Sequence, residues 1–471
     1  MRILFFVFLF TSVLVYGRKT PNVILIVSDD QGYADFSYKK NFDYIKTPNL
    51  DQMVEEGVNF TNAYVSAPIC SPSRTGLITG QYQARGGNYF FGGPGIAEGT
   101  KTMAQGFKAE GYTTAYFGKL HYGKNDKPEG YGHPINHGFD ESIVAGNGGR
   151  VHYLLHNEAA VATHSATAAP WLKNGKTFEK DGFTTEMISE WAQDYIASHQ
   201  EKPFFLQIAF NAVHNFNFQL PEQYLKEWDL TAYADYEELD TDESYSSWYN
   251  RSILPNLPNG RTYYAAQLYY LDREIGRIRQ QLKELGMDDN TIVVYLTDNG
   301  GSNCNGGVNT PLRSTKYSLY EGGIRVPMIM CWGNKFQKIE NDMMVSAMDL
   351  MPTLLSAAKA SKISYADCDG LNIMPYISHP DKLKRDNLVW DTGFAWAVRQ
   401  GKWKLKVMTN QTKADRISKF QHTDLGKGIE LYNLEEDISE MCNLADKFPE
   451  LVEELTAVHT QWVEDVANST K

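Results

Sequence analysis

The sequence predicts an α/β fold: a large doubly wound, mostly parallel sheet with helices on both faces, then a smaller C-terminal α+β domain with a short antiparallel sheet. Three observations predict it. Continuous apolar runs rich in β-branched residues, as at residues 22–27, read as strands buried on both faces. Segments with apolar residues three and four apart lie between those runs and read as amphipathic helices. From about residue 380 the runs shorten and are joined by turns, and a helix carrying Leu451, Leu455, Val458 and Trp462 follows.

The first strand, residues 22–27, ends in Ser28-Asp29-Asp30. Two adjacent carboxylates at a strand end repel each other unless a cation lies between them. Thr47-Pro48 opens a helix with Leu50, Met53 and Val54 on one face and Gly57 as its stop. Residues 58–65 return as a strand, and a helix marked by Pro72 and Gly80 follows. A loop rich in Gly and aromatics spans 83–99, and Met103 and Phe107 mark a short helix closed by Gly111. The strand at 112–117 delivers Gly118-Lys119-Leu120-His121. The helix at 184–198 shows Ile188, Trp191, Ala192, Tyr195 and Ile196 at helical spacing, and the strand at 203–210 delivers His214. After an irregular stretch, 215–260, a long helix carries Leu268, Leu271, Ile275, Ile278, Leu282 and Leu285 and stops at Gly286. The strand at 292–297 delivers Asp298-Asn299-Gly300-Gly301, with Lys316 and Glu321-Gly322-Gly323 in the loop beyond. Four strands thus end in charged or imidazole residues, and ligands of doubly wound sheets bind beyond the carboxyl ends of the strands. In the tail, strands are expected at 388–390, 395–399, 403–407 and 429–432.

The chain has 471 residues, enough for more than one domain. Residues 3–16 are almost wholly apolar between Arg2 and Gly17-Arg18-Lys19, the build of a signal peptide over residues 1–17. The division expected is therefore leader 1–17, catalytic domain 18–380 and smaller domain 381–471, with no membrane span after the leader is removed. A net charge of −12 argues against a general nucleic-acid binder. Five cysteines with no C-x-x-C pair exclude a disulfide scaffold and a zinc ribbon. Few cysteines, and sequons at Asn59, Asn250, Asn410 and Asn468 that are no denser than chance, favour a periplasmic or secreted protein over a lysosomal one.

The most specific stretch is Cys70-Ser71-Pro72-Ser73-Arg74-Thr75-Gly76-Leu77-Ile78-Thr79-Gly80. A Cys where a helix opens faces backbone N–H groups that favour an anion, and Arg74 adds a fixed cationic fork. This run resembles the signature of the formylglycine-dependent sulfatases, within the alkaline-phosphatase-like superfamily, at Cys70, Pro72, Ser73, Arg74, Thr79 and Gly80. The resemblance covers residues 22–325 and, more weakly, the tail.

The resemblance implies a set of roles. A separate formylglycine-generating enzyme oxidises Cys70 to Cα-formylglycine, whose hydrate is the nucleophile. Asp29, Asp30, Asp298 and Asn299, with the modified Cys70, match the family's metal ligands; all are oxygen donors, and the family usually holds one Ca2+. Lys119 and His121 match its Gly-Lys-x-His element, with Leu120 where Trp is common. His214 matches the second His without the usual flanking prolines, and His137, His152 and His156 are its rivals. Lys316 matches the family's Lys. A further sulfate-contacting polar residue is sought at Asn147 or His152. In the implied mechanism Arg74 and the ion orient sulfate, Asp298 takes the nucleophile's proton, and His214 and Lys316 serve the leaving group. His121 then takes the proton that releases sulfate, and Lys119 holds the aldehyde-side oxygen.

The expected substrate is a sulfated polysaccharide or oligosaccharide, for example a carrageenan-like galactan or a glycosaminoglycan, with Tyr82, Arg85, Tyr89, Phe90, Phe91 and the aromatics of 216–249 as candidate cleft residues. The rival readings are an arylsulfatase of broad specificity, a phosphonate or phosphate ester hydrolase of the same superfamily, and a non-catalytic binder of sulfated glycans.

Overall fold

The structure is a computed structural model that describes residues 20–469 apart from 146–152, 155–170, 179, 235–242, 245–246, 249–258 and 363–366. The expected leader lies outside the described residues, as do Asn147, His152 and His156. No helix among the described residues is long and apolar enough to cross a membrane.

Strand β1 (Asn22–Ser28) lies at the heart of a mixed sheet that has eleven strands among the described residues, paired in parallel with β7 (Phe204–Ala209) on one side and β8 (Thr291–Thr297) on the other. Its side chains alternate between two cores, which explains why the run is apolar throughout. Ile24 and Ile26 pack with helices Pro48–Glu56, Thr184–Ser198 and Gly260–Glu284, while Val23, Leu25 and Val27 pack on the other face with helices Met103–Ala109 and Leu350–Ala357. Each such buried aliphatic side chain stabilises the fold by about 1.5–3 kcal/mol. Beyond β7 come β3 (Thr113–Gly118) and β4 (Glu141–Ala145), both parallel, then the antiparallel ribbon β5 (Trp171–Lys173) and β6 (Lys176–Phe178). On the other side, β8 is followed by β9 (Arg325–Trp332), β2 (Val58–Tyr64), β10 (Ile339–Asn341) and β11 (Val345–Ser346).

The four strands expected to carry charged ends are found side by side, in the order β8, β1, β7, β3. Strand β9 is the main element absent from the sequence expectation. Pro327 removes a donor from the middle of its run, which argues against an interior strand. The sheet accommodates the proline opposite a bulge in β2, where the register shifts between Phe60 and Ala63. Gly57 ends its helix for a reason other than a left-handed cap. Its φ is −141°, and a Cβ there would meet the Met330 carbonyl oxygen at 2.5 Å. Gly80 is the expected left-handed cap, with φ 64° and its N–H donating to Gly76 O.

The tail forms a separate antiparallel sheet of β12 (Leu388–Asp391), β13 (Ala395–Gln400), β14 (Trp403–Met408) and β15 (Ile429–Asn433), backed by helix Pro449–Ser469. Helix Gln411–Gln421 joins β14 to β15 and escaped the sequence reading because it buries Ala414 alone. The joint between the two sheets combines an apolar cluster, with Tyr64 against Trp390, and a buried ion cluster. Lys404 Nζ lies 2.8 Å from Glu321 Oε1 and 2.8 Å from Glu440 Oε1, all three side chains being fully buried. Tyr64 Oη donates to Glu321 Oε2 at 2.6 Å.

Candidate active site

Because β8, β1, β7 and β3 are parallel neighbours, their carboxyl ends open on one edge of the sheet. Asp29 and Asp30 follow β1, Asp298 and Asn299 follow β8, Lys119 and His121 follow β3, and His214 lies just beyond β7. Helix Cys70–Thr79 approaches this edge with Cys70 as its first residue. Lys316 comes from the loop between β8 and β9. The expected residues Asp29, Asp30, Cys70, Arg74, Lys119, His121, His214, Asp298, Asn299 and Lys316 are thus all described and gather at this edge.

The side chains interlock. Cys70 Sγ lies 3.4 Å from Asp29 Oδ1, 3.7 Å from Asp30 Oδ1 and 3.8 Å from Lys119 Nζ. Lys119 also donates to Asp29 Oδ2. Arg74 Nε donates to Asp298 Oδ2 at 2.8 Å, and its Nη1 donates to Lys119 O at 3.2 Å. Lys316 Nζ lies 2.7 Å from Asp30 Oδ2 and 3.4 Å from His214 Nε2, and His214 Nε2 is 3.5 Å from Asp30 Oδ2. Asp298 Oδ1 accepts from the Asp30 backbone N–H at 3.2 Å, and Asn299 Nδ2 donates to Asp30 Oδ1 at 2.7 Å. Asp30 and His121 are held in left-handed backbone at φ 58° and 55°, a local cost of about 1–3 kcal/mol that functional sites tend to carry.

Three carboxylates and three cations are buried together, but their charges are not evenly matched. Burial, then the Asp298 and Asp30 charges, push Asp29 up to about 7. Burial works against ionisation of Asp298 too, yet Arg74, Lys119 and Lys316 pull it well below the usual carboxylate range. Burial, then the Asp298 charge, raises the Cys70 thiol far above its ordinary value. Burial, helped by Lys119, Arg74 and Lys316, keeps His121 neutral. Burial opposes the Lys316 charge, but Asp30 outweighs it and Lys316 stays protonated. Ligand atoms of Asp29, Asp30, Cys70 and His214 all lie within 4.8 Å of one another, a grouping able to hold a metal ion. Asn299 Oδ1 is buried beside them with no hydrogen-bond partner.

Among the rival histidines, His137 is buried against Tyr122 and Phe139, and burial lowers it to about 3. His214, with 17% of its side chain exposed, is the histidine beside Lys316 and Asp30. Sequence reasoning missed the asparagines that brace the site. Asn305 Nδ2 donates to Asp30 O at 3.0 Å and to Val213 O at 2.6 Å, tying the β1 end to the segment before His214. Asn309 holds Gly301 from both sides, accepting from its N–H at 2.9 Å and donating to its carbonyl at 3.0 Å. The density of Asn and Gly over residues 299–309 was the available signal. Two candidate cleft residues serve elsewhere: Arg85 pairs with Asp369 at 2.6 Å and Tyr82 packs edge-on against Trp462.

Residues 21–360 match the family model for sulfatases, and residues 314–466 match that for the C-terminal part of N-sulphoglucosamine sulphohydrolase. Arylsulfatase J of Mus musculus is 29% identical, over 93% of this chain and 75% of its own. N-acetylgalactosamine-6-O-sulfatase of Bacteroides thetaiotaomicron is 26% identical over 93% of this chain and 92% of its own. The crystal structure of Ps i-CgsB in complex with k-i-k-neocarrahexaose superposes with a TM-score of 0.78 at 28% identity, covering 94% of this chain and 93% of that one. With a family model spanning the sheet from β1 to beyond β11 and relatives aligned along nearly the whole chain, the protein belongs to the sulfatase family and is a sulfuric ester hydrolase.

Proposed function

We propose that this enzyme removes sulfate from a sulfated carbohydrate, using formylglycine made from Cys70 and one Ca2+ held beside it. The observation that carries the reading is the meeting at Cys70 Sγ of two carboxylates from β1 and the Lys119 ammonium from β3. The donor set fits a hard cation: Asp29, Asp30, Asp298 and Asn299 offer oxygens, with position 70 completing the set. One feature supports the fit: Asn299 Oδ1 is buried without a hydrogen-bond partner. When bound, Ca2+ supplies charge that draws electron density from the sulfate oxygens.

Cys70 Sγ marks where the reactive oxygen of the matured side chain would stand. That side chain supplies a geminal diol, one hydroxyl to attack sulfur and one through which sulfate is released without a second attacking water. The protein's own groups do the rest. Arg74, fixed by Asp298, holds sulfate oxygens, and Lys119 steadies position 70. Asp298, kept ionised by its three cations, accepts the proton lost on attack. Lys316, protonated, and His214 beside it serve the departing oxygen. His121, kept neutral, is poised to take the proton whose loss frees sulfate. In this reading residues 1–17 direct export to the periplasm or outside the cell, 18–380 form the catalytic domain and 381–471 the smaller one, and a formylglycine-generating enzyme is the maturation partner.

The carbohydrate part rests on relatives: N-acetylgalactosamine-6-sulfatases of Mus musculus and Bacteroides thetaiotaomicron, and Ps i-CgsB crystallised with a neocarrahexaose. Desulfation of carrageenan, chondroitin and heparan hexasaccharides, compared with p-nitrophenyl sulfate and p-nitrophenyl phosphate, tests it. The expected result is a kcat/KM on one oligosaccharide above that on either aryl ester. Turnover of aryl sulfate alone overturns the carbohydrate reading, and preference for the phosphate overturns the sulfate one. The metal is tested by stability: chelation should lower the Tm of the matured enzyme and Ca2+ should restore it. Asn299→Ala should raise the Ca2+ needed for half-restoration by about tenfold or more, the scale on which loss of a group tied to a metal site registers.

A further inference from the structure

Helix Gln411–Gln421 of the smaller domain lies against segments that reach the site. Three segments that reach the site meet it or the turn that follows it. Asn88 Nδ2 donates to Tyr122 O, next to His121, at 3.1 Å, and three residues on Phe91 stands 57% exposed. Tyr317, adjacent to Lys316, lies 6.2 Å from Phe90 between ring centroids. Cys304 Sγ, one residue before the Asn305 brace, donates to Gln421 at the far end of the helix at 3.2 Å. Thr315, one residue before Lys316, hydrogen-bonds Thr423 at 2.7 Å.

A row of rings therefore leads away from Lys316: Tyr317, its centroid 5.5 Å from Lys316 Nζ, then the buried Phe90, then the exposed Phe91, with 4.8 Å between the Phe90 and Phe91 centroids. Phe394 buttresses Phe90 edge-on at 5.1 Å. Lys413 tops the row, its Nζ 5.8 Å from the Phe90 centroid and 5.2 Å from that of Phe394. Arg416 stands exposed one turn further along the helix, and among the described residues neither cation is in a salt bridge. On a chain of net charge −12, the exposed Lys413 thus sets a cation close to the exposed Phe91, with Asp415 between it and Arg416.

Resting on the carbohydrate reading above, we propose that Phe91 and Lys413 form a sugar subsite next to the catalytic centre. Phe91 stacks on the apolar face of the ring adjoining the one that bears the scissile sulfate. Lys413 pairs with an anionic group on that neighbouring ring, a second sulfate or a uronate carboxylate. The smaller domain thereby selects multiply charged oligosaccharides, whereas the larger domain supplies the chemistry.

The test measures kcat/KM for Phe91→Ala, Lys413→Glu and Lys413→Arg on the panel hexasaccharide that the unaltered enzyme desulfates fastest, each divided by its kcat/KM on p-nitrophenyl sulfate. The expected result is a fall of about tenfold or more in that ratio for Phe91→Ala and Lys413→Glu, mainly through KM, with Lys413→Arg retaining most of it. Repeating the comparison on a hexasaccharide lacking the second sulfate identifies the anion: loss of the Lys413 effect assigns sulfate, and its persistence on a uronate-containing chain assigns carboxylate. Unchanged ratios in an enzyme that cleaves the hexasaccharide overturn the subsite and leave the carbohydrate reading standing. An unaltered enzyme that cleaves no hexasaccharide overturns both.

Discussion

Cys70→Ala is expected to lower kcat on any sulfate ester by at least about 10⁴-fold, the scale seen when a covalent nucleophile is removed from an assembled site. The remaining groups would still bind sulfate. Arg74 is fixed on Asp298 and Lys119 on Asp29 whether or not position 70 carries a side-chain nucleophile. Binding without attack gives little rate, so KM should change far less than kcat. The substitution removes one buried Sγ and adds no bulk, so the fold should survive. A thermal melt close to that of the unaltered protein separates lost chemistry from lost structure. A variant with substantial turnover would show that another group attacks sulfur and would defeat the proposed mechanism.

Lys404→Met is expected to produce the largest loss of stability. Lys404 is the cation between Glu321 and Glu440, and all three side chains are fully buried. Removing the cation from a buried ion pair costs about 3–5 kcal/mol, because the charges left behind have no water to turn to. The pH dependence has a definite sign. Burial raises Glu440 to about 7 despite Lys404. Its contribution to stability is therefore complete below its unfolded value of 4.5 and is lost as pH rises through about 7. Burial also opposes ionisation of Glu321, but Lys404, Arg399 and Arg325 lower it to about 2, so its contribution is lost only as pH falls towards that value. Without Lys404 both carboxyls shift upward. The variant should thus be destabilised most above pH 7 and partly recover near pH 5, as measured by urea unfolding at the two pH values. A uniform loss across that range would mean that Lys404 acts through packing alone. A second substitution, Glu440→Gln, should recover part of the loss at pH 8, since it removes one of the two stranded charges.

The parallel core was legible because β1, β3, β7 and β8 are buried on both faces, and that burial writes itself as largely apolar runs. Their ends were legible for a related reason. Paired acids after an apolar strand, or Lys and His after a Gly, have no structural motive in a turn. β9 was illegible because Pro327 contradicts the rule for interior strands, and the bulge that excuses it belongs to β2, some 260 residues earlier. The pairing of Arg85 was hidden for a similar reason. Its partner Asp369 lies far along the chain, and nothing local distinguishes an Arg that binds ligand from one that fastens a loop. The asparagine braces were hidden because Asn is common in turns, and only the fold reveals that Asn305 spans two strand ends.

The central claim concerns the chemical identity of one side chain at the meeting point of those strands. The most direct measurement is the mass of the peptide carrying residue 70, taken from preparations of graded sulfatase activity. Conversion of the thiol to an aldehyde makes that peptide lighter by about 18 Da. The account predicts that the lighter form rises in proportion to specific activity. A fully active preparation in which residue 70 is an unmodified cysteine would contradict it.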